Sequence, residues 1–547
     1  MVTAASPASR VAAGPRDRWR RVPFGLLAAG CAVVALLVAA LRPLVDIDVY
    51  WHVLVGQQIL DGVPVAEAGR GWSAAPVPDT WVSTQWLAEV GFAALFDLDG
   101  WTGLLWFRYA GVALVLVVLA LTTVRGRSIP AAAVPFGLGA CALAGFAQER
   151  SQLVTYLLAP VVGALVLRAL ARGVLPRWWL VLPVVAVWAN IHGGWVIAAL
   201  GCGLVVLGRW LDHGLRDRVA VRALGLTLVV LVAACLTPVG PANLLSSWRF
   251  SQAASVLIVE WAPVNPLDAA NGGLLWTALL LVWAVSWATG RPRPPRSQVL
   301  VVLALLAFGL LAWRNIPVAV LLLAPMLAER LQRTWAPTPR SPGWSSLRWS
   351  SLGRSDRAAA AVLVVALVLG GVLVGRSGEI PADQPTALAV AVAALPGDQR
   401  VLNDYNTAGV MLFCGRPGQV LVSVDGRTER FGADYLGRYR DLMALRPGWE
   451  ALLDELSPTA AVLANTSPLV EALVSARGWR QVAATPAGYL LLLPPTPGKA
   501  EVAPVQPAAR TDASCTAAAA VATSPSSAAA EAAPTTSAHT SASRSST

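Results

Sequence analysis

Residues 24–44 read Phe-Gly-Leu-Leu-Ala-Ala-Gly-Cys-Ala-Val-Val-Ala-Leu-Leu-Val-Ala-Ala-Leu-Arg-Pro-Leu. This apolar run is about as long as the roughly 20 residues that cross a bilayer as a helix. Four arginines precede it, namely Arg16, Arg18, Arg20 and Arg21. Because basic flanks stay in the cytoplasm, the pattern predicts a cytoplasmic N-terminus and a first loop on the outer face. No small-residue cleavage site follows, so we expect a membrane span and not a signal peptide.

The composition is typical of a protein with many membrane spans. Of the 547 residues, 56% are hydrophobic and only 13% are charged, about half the charged fraction of a soluble domain. The net charge of +11 comes mostly from arginines in short segments between apolar runs. This distribution indicates membrane topology rather than nucleic-acid binding. The sequence lacks Walker and dinucleotide-binding glycine patterns, which argues against an ATP-driven pump or a redox enzyme.

The fold class predicted from these patterns is a polytopic α-helical membrane protein with a small extracytoplasmic α/β domain. Alternation of apolar runs with arginines predicts about 11 spans, near 24–45, 103–124, 130–147, 152–171, 178–189, 195–208, 220–236, 273–290, 298–313, 316–328 and 358–375. An odd number of spans places the C-terminus outside, and the two large outer loops are 46–102 and 237–272. Residues 178–208 leave two possibilities open, two short spans or one broken helix.

The chain divides into four regions: a cytoplasmic tail 1–23, the transmembrane domain 24–375, the α/β domain 376–497 and a disordered tail 498–547 rich in Ala, Ser, Thr and Pro. In the α/β domain, strands are predicted at Val401-Leu402, Val420–Val424, Ala460–Leu463 and Tyr489–Leu493, with helices at Ala433–Leu445 and Pro468–Ala476. Cys414 and Cys515 are both predicted outside, where a disulfide is permitted, and whether they pair stays open.

The first loop begins with a cluster of carboxylates and an imidazole. If the segment after Asp46 is helical, Asp48, Trp51 and His52 share one face; Asp46 and Asp48 share a side if the chain is extended. Either geometry places one or two carboxylates beside a histidine, a set that binds a divalent cation or takes a proton from a hydroxyl. The alternative is a helix-capping aspartate with an interfacial Trp and His.

Two further groups of polar residues are candidates for a binding site. The first is Trp188-Ala-Asn190-Ile-His192-Gly-Gly194, whose glycines break a helix at membrane depth. Such a break is tolerated where the backbone is buried or lines a polar cavity. The alternative is a tight turn in which the histidine is hydrogen-bonded. Arg108, Arg150 and Arg314 lie near the predicted outer face, where guanidinium groups suit an anionic lipid headgroup. Their alternative is ordinary snorkelling or pairing with Glu149.

Short motifs occur in a consistent order along residues 20–495: Asp46-Ile-Asp48-Val-Tyr-Trp51-His52, Ile59-Leu-Asp61-Gly-Val-Pro64, Gln85-Trp86-Leu-Ala-Glu89, Trp188-Ala-Asn190-Ile-His192-Gly-Gly194, Arg314-Asn315-Ile-Pro317, Asn403-Asp-Tyr405 and Val424-Asp-Gly-Arg427. In this order the chain resembles the GT-C superfamily of polyprenyl-phosphate-sugar-dependent glycosyltransferases, and within it a bacterial integral membrane branch. The acidic pair in the first outer loop is the most characteristic element of that superfamily, and it corresponds to Asp46 and Asp48.

The resemblance implies a plasma-membrane enzyme that moves a sugar from a polyprenyl-phosphate donor to an envelope glycan, lipid or protein on the outer face. It implies Asp46, Asp48 and His52 as catalytic residues, with Mg²⁺ or Mn²⁺ on the two aspartates as an option. It implies a substrate site formed by Trp51, Gln85, Trp86, Arg108, Arg150, Asn190, His192, Arg314 and Asn315. The outer α/β domain would bind or orient the acceptor.

Two other functions fit the same residues. A transporter or flippase for lipid-linked substrates would line its pathway with them, although it would be expected to show internal repeats and mid-span charges, which the sequence does not display. A non-catalytic scaffold for envelope assembly would use the outer domain for binding alone.

Overall fold

The computed structural model describes residues 24–44, 46–269, 271–290, 292–335, 354–375, 379–495 and Cys515. The two predicted tails, 1–23 and 498–547, lie outside the described residues apart from Cys515. In the described ranges, residues up to 375 form a helical membrane body, and those from 379 form the α/β domain.

The membrane body consists of thirteen described α-helices with short connections. They are α1 (Phe24–Leu41), α2 (Val49–Leu60), α3 (Trp86–Val124), α4 (Ile129–Phe146), α5 (Gln152–Arg172), α6 (Trp178–Ile191), α7 (Val196–His213), α8 (Arg218–Ala234), α9 (Asn243–Ala254), α10 (Gly273–Thr289), α11 (Arg296–Leu311), α12 (Ile316–Trp335) and α13 (Arg354–Val374). Six of the described helical segments are long and apolar enough to cross a membrane, and α6, α10 and α11 are shorter apolar helices.

Each of the eleven predicted spans coincides with a helix, while the number that crosses the membrane and the side of each loop remain predictions. The ambiguous stretch 178–208 forms two helices, because α6 ends at Ile191, His192 is extended, and a short 3-10 turn precedes α7. Helix α3 is interrupted at Asp99 and at Gly100, whose φ of 55° favours glycine. An arm from Trp86 to Leu98 therefore precedes the span.

Helix α12 is the central element of the membrane body. Nearly every side chain from Ile316 to Leu331 is buried, as expected for a helix that is apolar on all faces. It packs against α4 and α5. The contact with α5 is very close, because a Cβ at Gly163 would lie 2.0 Å from the carbonyl oxygen of Leu322. A glycine is required there for the two backbones to approach.

The α/β domain is a five-stranded sheet with helices around it. Its elements are α14 (Thr386–Ala393), β1 (Gln399–Asn403), α15 (Ala408–Gly415), β2 (Val420–Val422), α16 (Thr428–Met443), α17 (Trp449–Leu456), β3 (Ala460–Ala464), α18 (Pro468–Arg477), β4 (Arg480–Ala484) and β5 (Tyr489–Leu493). The strand order is β2-β1-β3-β5-β4. Strands β1, β2 and β3 are parallel, whereas β5 is antiparallel to both β3 and β4.

All four predicted strands and both predicted helices of this domain are present. Strand β4 was not predicted, because it lies at the sheet edge with mostly exposed side chains and has no apolar alternation. The short helices α14, α15 and α17 were also not predicted. Cys414 in α15 forms a disulfide with Cys515, which answers the question that the sequence left open.

The two large loops and the α/β domain lie at the same end of the membrane body. The first loop extends the sheet, since the amide of Ala74 donates to Val422 (2.9 Å) and that of Val422 to Trp72 (3.0 Å). Helix α9 of the second loop packs against α16. A Cβ at Gly409 would lie 2.3 Å from the carbonyl oxygen of Ile47. The domain is therefore seated directly on the start of the first loop.

We expect Gly163→Ala to destabilise the membrane body by about 1–3 kcal/mol, because the added methyl group forces α5 away from the Leu322 backbone. The melting temperature of the detergent-solubilised protein, followed by tryptophan fluorescence, measures this effect. Gly203→Ala in α7 is the matched control, since a Cβ there meets nothing within 4 Å. Equal melting temperatures for the two variants would contradict the close contact.

Candidate active site

Asp48 lies at the N-terminal end of α2. Its carbonyl oxygen accepts the amide of His52 at 3.2 Å, which begins the helix. Its side chain does not cap the helix; instead Oδ1 accepts the indole N–H of Trp51 at 3.1 Å. Asp48 therefore occupies the N-cap position of α2, as the alternative interpretation predicted, but its carboxylate accepts no hydrogen bond from the helix amides.

Asp46 is buried and held by a cation from another element. Its Oδ1 accepts Nε of Arg150 at 2.9 Å and the amide of Asp48 at 3.3 Å. Its second carboxylate oxygen is buried without a hydrogen-bond partner in the described residues. Arg150 lies between α4 and α5, so this ion pair joins the first loop to the following helix pair.

Arg150 also contacts the second large loop, with Nη1 3.1 Å from Glu260. Arg314, in the turn between α11 and α12, is placed beside this pair. Its guanidinium stacks on Trp261 at 4.5 Å from the ring centroid. Burial lowers the pKa of Arg314, and the attraction of Glu260 opposes that shift. We refer to Asp46, Asp48, Arg150, Glu260 and Arg314 as the charged cluster.

Arg314 is the uncommitted cation of the charged cluster. It makes no hydrogen bond or ion pair with any side chain or carbonyl in the part of the chain that the structure describes, whereas Arg150 is shared between Asp46 and Glu260. An arginine that stacks on an aromatic ring keeps its fork of N–H donors available for an anion. This is the arrangement expected of a residue that binds a phosphate.

Asp48 has the acid–base properties of a proton acceptor at neutral pH. Burial, together with the neighbouring Asp46 carboxylate, raises the pKa of its carboxyl to about 6, although Arg150 and His52 oppose the shift. At pH 7 the carboxylate is therefore mostly ionised yet more basic than an ordinary aspartate. A pKa near the working pH is what general base catalysis favours.

Arg108 does not join the charged cluster. It is fully buried, and its donors contact the carbonyl oxygens of Ala39 (2.9 Å) and Pro43 (3.0 Å) at the end of α1. It also forms an ion pair with the buried Glu149. Because its donors face protein groups, we assign Arg108 to the attachment of α1 and leave it out of the phosphate site.

His52 pairs with a carboxylate other than those of the two aspartates that the sequence placed beside it. Its Nδ1 lies 3.1 Å from Oε1 of Glu89, which is fully buried in the arm of α3. Its ring stacks on Trp51, with centroids 3.7 Å apart. His52 thus links α2 to α3 and supports Trp51, the indole that contacts Asp48. We assign it a positioning role.

The remaining predicted binding residues join elements to one another. Trp86 donates to Asn190 at 2.6 Å, which ties the arm of α3 to the end of α6. His192 Nδ1 lies 2.8 Å from the hydroxyl of Thr155 and accepts the amide of Gly194 at 2.9 Å, which matches the tight-turn alternative. Gln85 accepts from Ser151 at 2.7 Å, and Asn315 donates to the carbonyl oxygen of Phe308 at 3.1 Å.

The aspartates do not form a multidentate metal site by themselves. Among the described residues, no group of three or more His, Cys, Asp or Glu side chains is arranged to hold a metal ion. The guanidinium of Arg150 binds one carboxylate oxygen of Asp46. Mg²⁺ or Mn²⁺ on Asp46 and Asp48 stays a prediction, and we derive no step through it.

An apolar groove approaches the charged cluster through the membrane body. It lies between α5, α6, α7 and α8, has a volume of about 230 Å³, and includes Leu158, Val162, Val185 and Trp188 in its lining. Leu158 is eight residues beyond Arg150, about 12 Å along a helix. The groove thus begins roughly two turns of α5 below the cluster.

No protein-family model and no curated protein matches the sequence. Two solved structures with a similar course of the chain are crystal structures of ArnT from Cupriavidus metallidurans. The apo form has a TM-score of 0.48 at 18% identity, and the form bound to undecaprenyl phosphate has 0.41 at 15%; each match covers 85% of this chain and 97% of that one. At this similarity no residue role is transferred.

We expect Arg108→Met to destabilise the protein by about 3–5 kcal/mol, because it removes the guanidinium that balances the buried Glu149 carboxylate. Adding Glu149→Gln should recover a large part of that loss. Thermal melting in detergent measures both, with Arg438→Met as control for an exposed pair. If Arg108→Met melts at the wild-type temperature, the buried Arg108–Glu149 pair does not contribute this stability.

Proposed function

We propose that the protein is a membrane glycosyltransferase that moves a sugar from a polyprenyl-phosphate donor to a hydroxyl of an envelope glycan, lipid or protein. The observation that carries the proposal is the charged cluster itself. It combines a carboxylate of raised pKa, Asp48, with an uncommitted guanidinium, Arg314, about two helical turns from an apolar groove.

The donor is bound by two features of the membrane body. The polyprenyl chain occupies the groove between α5, α6, α7 and α8, whose lining is apolar. The phosphate lies against Arg314, which offers planar N–H donors to its oxygens. Arg150 lies beside the phosphate but remains paired with Asp46 and Glu260. It therefore contributes positive electrostatic potential rather than free N–H donors.

Transfer exchanges one bond to the anomeric carbon for another. Asp48 accepts the proton of the acceptor hydroxyl as that oxygen bonds to the anomeric carbon. The bond from the same carbon to the phosphate oxygen breaks, and polyprenyl phosphate leaves with the additional negative charge. Arg314 stabilises this charge as it develops, a contribution usually larger than that of proton transfer.

We place this chemistry on the outer face of the plasma membrane. Basic segments alternate with acidic loops along the sequence in the manner expected for that orientation. The Cys414–Cys515 disulfide supports it, because disulfides persist in oxidising compartments. The α/β domain is then extracytoplasmic and lies on the acceptor side.

We expect Asp48→Asn to abolish transfer, because an amide cannot accept the acceptor's proton. The measurement is mass spectrometry of polyprenyl-phosphate sugars and envelope glycans in cells that lack the protein and are rescued with each form. Wild type should restore a missing glycan and clear an accumulated donor. Asp61→Asn, an exposed aspartate in the same loop, should rescue like wild type.

Full rescue by Asp48→Asn, at matched expression, would remove the catalytic assignment. The transporter and the envelope-assembly scaffold would then explain the phenotype better, since neither needs a general base.

We expect Arg314→Gln to weaken binding of undecaprenyl phosphate by roughly 10–100-fold, as for loss of a charge-assisted contact of about 1.5–3 kcal/mol. Native mass spectrometry of the purified protein with this lipid measures the change. Arg249→Gln is the matched control, because Arg249 is an exposed arginine of the adjoining α9. Unchanged binding by Arg314→Gln would place the phosphate elsewhere.

The pH dependence of transfer should follow ionisation of Asp48. A general base must be deprotonated, so the second-order rate constant should fall about tenfold for each pH unit below about 6. It should level off above pH 7. A rate independent of pH between 5 and 8 would contradict Asp48 as the base.

A further inference from the structure

The α/β domain reaches the general base. A Cβ built on Gly426 would lie 1.8 Å from Oδ1 of Asp48 and 2.8 Å from Nε1 of Trp51. Only a residue without a side chain therefore permits this approach. The loop between β2 and α16 consequently forms one wall of the space around Asp48, and residues on either side of Gly426 are close to the reacting groups.

This wall is held in place by a buried arginine. Arg427 forms a bidentate pair with Asp425 (3.0 and 2.6 Å), and its guanidinium stacks between Trp72 and Trp81 of the first loop. Arg430 pairs with Asp79 of the same loop at 3.0 Å. These two ion pairs therefore hold Gly426 in place beside Asp48.

Among the described residues of the α/β domain, buried polar atoms without a hydrogen-bond partner occur in Gln384, Tyr405, Thr428, Glu429 and Arg430. Two of these side chains, Tyr405 and Glu429, carry an acidic group. The hydroxyl of Tyr405 makes no hydrogen bond. Oε2 of Glu429 makes none either, although its Oε1 accepts the indole N–H of Trp81 at 2.7 Å. A buried polar atom without a partner costs roughly 1–3 kcal/mol, so such atoms are expected where a ligand supplies the partner.

Tyr405 lies near Asp48, and Glu429 lies near Tyr405. Burial raises the pKa of Tyr405, and the nearby Asp48 and Asp425 carboxylates raise it further. Burial also raises the pKa of Glu429, which directly follows the Arg427-Thr428 pair after Gly426.

We infer that Tyr405 and Glu429 bind the acceptor, and that the acceptor presents a neutral, hydroxyl-rich glycan to the site. This inference rests on the proposed function and adds the acceptor's chemistry and the residues that recognise it. Tyr405 donates to one acceptor oxygen, and Glu429 accepts from a second hydroxyl. The hydroxyl that reacts is thereby directed toward Asp48.

The charges around Tyr405 disfavour an anionic group of the acceptor. They are the carboxylates of Asp48, Asp425 and Glu429 and the guanidinium of Arg150. Arg427 neutralises Asp425, Arg150 is shared by two acidic partners, and Arg314 is taken by the donor phosphate in the proposed site. A phosphate or carboxylate of the acceptor would meet uncompensated negative charge here. Hydroxyl groups, in contrast, donate to carboxylates with good geometry.

The test compares transfer with lipid binding in Tyr405→Phe and Glu429→Gln. Membranes from rescued cells receive the polyprenyl-phosphate sugar that accumulates in cells lacking the protein, and mass spectrometry follows the initial rate of transfer to the endogenous acceptor. Purified protein is tested for binding of undecaprenyl phosphate. Tyr489→Phe and Glu455→Gln are matched controls in the same domain, the second of them from an exposed pair.

Each variant should transfer roughly tenfold more slowly than wild type, as expected for one lost hydrogen bond, with lipid binding unchanged. The inference is overturned if both variants transfer at the wild-type rate, or if transfer and lipid binding fall together. If wild type itself neither transfers sugar nor binds undecaprenyl phosphate, the proposed function fails and the inference with it.

Discussion

The ion pair between Arg150 and Asp46 is the interaction on which the charged cluster depends. Arg150 belongs to the connection between α4 and α5, Asp46 to the start of the first loop, and Glu260 to the second large loop. One guanidinium thus holds three separate segments at one point. Asp48 and Arg314 acquire their positions from that junction, and the raised pKa of Asp48 follows from the burial that the junction produces.

Buried charges are costly, and this protein contains several of them at one end of its membrane body. Arg108 with Glu149, and His52 with Glu89, lie behind the charged cluster and connect α1, α2 and α3. Apolar residues of similar volume would serve stability at least as well. We therefore relate these pairs to the chemistry proposed for Asp48 and Arg314 rather than to stability alone.

The α/β domain is part of the candidate site because of its contacts with the first loop. Trp72 and Ala74 pair with β2 as an added edge segment, while Gly409 and Gly426 allow the domain's backbone to touch Ile47 and Asp48. A side chain at either glycine would separate the two parts. Membrane chemistry at Asp48 and recognition by Tyr405 and Glu429 can therefore be coupled without a large movement of the domain.

Much of the architecture was predictable from local sequence. Apolar run length located all the membrane-body helices proposed as spans, and alternating strands and helices indicated the α/β domain, because both signals are read within a few neighbouring residues. Edge strand β4 was missed because its exposed side chains show no alternation of apolar and polar residues. The acidic start of the first loop, with Arg150 and Arg314, was also visible as charge placed against an apolar background.

Only the tertiary structure decided which of those charged residues act together. Arg108 and Arg314 look alike in sequence, yet one is surrounded by carbonyl oxygens and Glu149, while the other stacks on Trp261 and makes no hydrogen bond within the described ranges. Asp48 and Gly426 are separated by more than half of the chain and still touch. Periodicity and composition indicate which face of each segment is buried or exposed. Pairing between distant segments depends on the packing of the whole chain, so no local pattern predicts it.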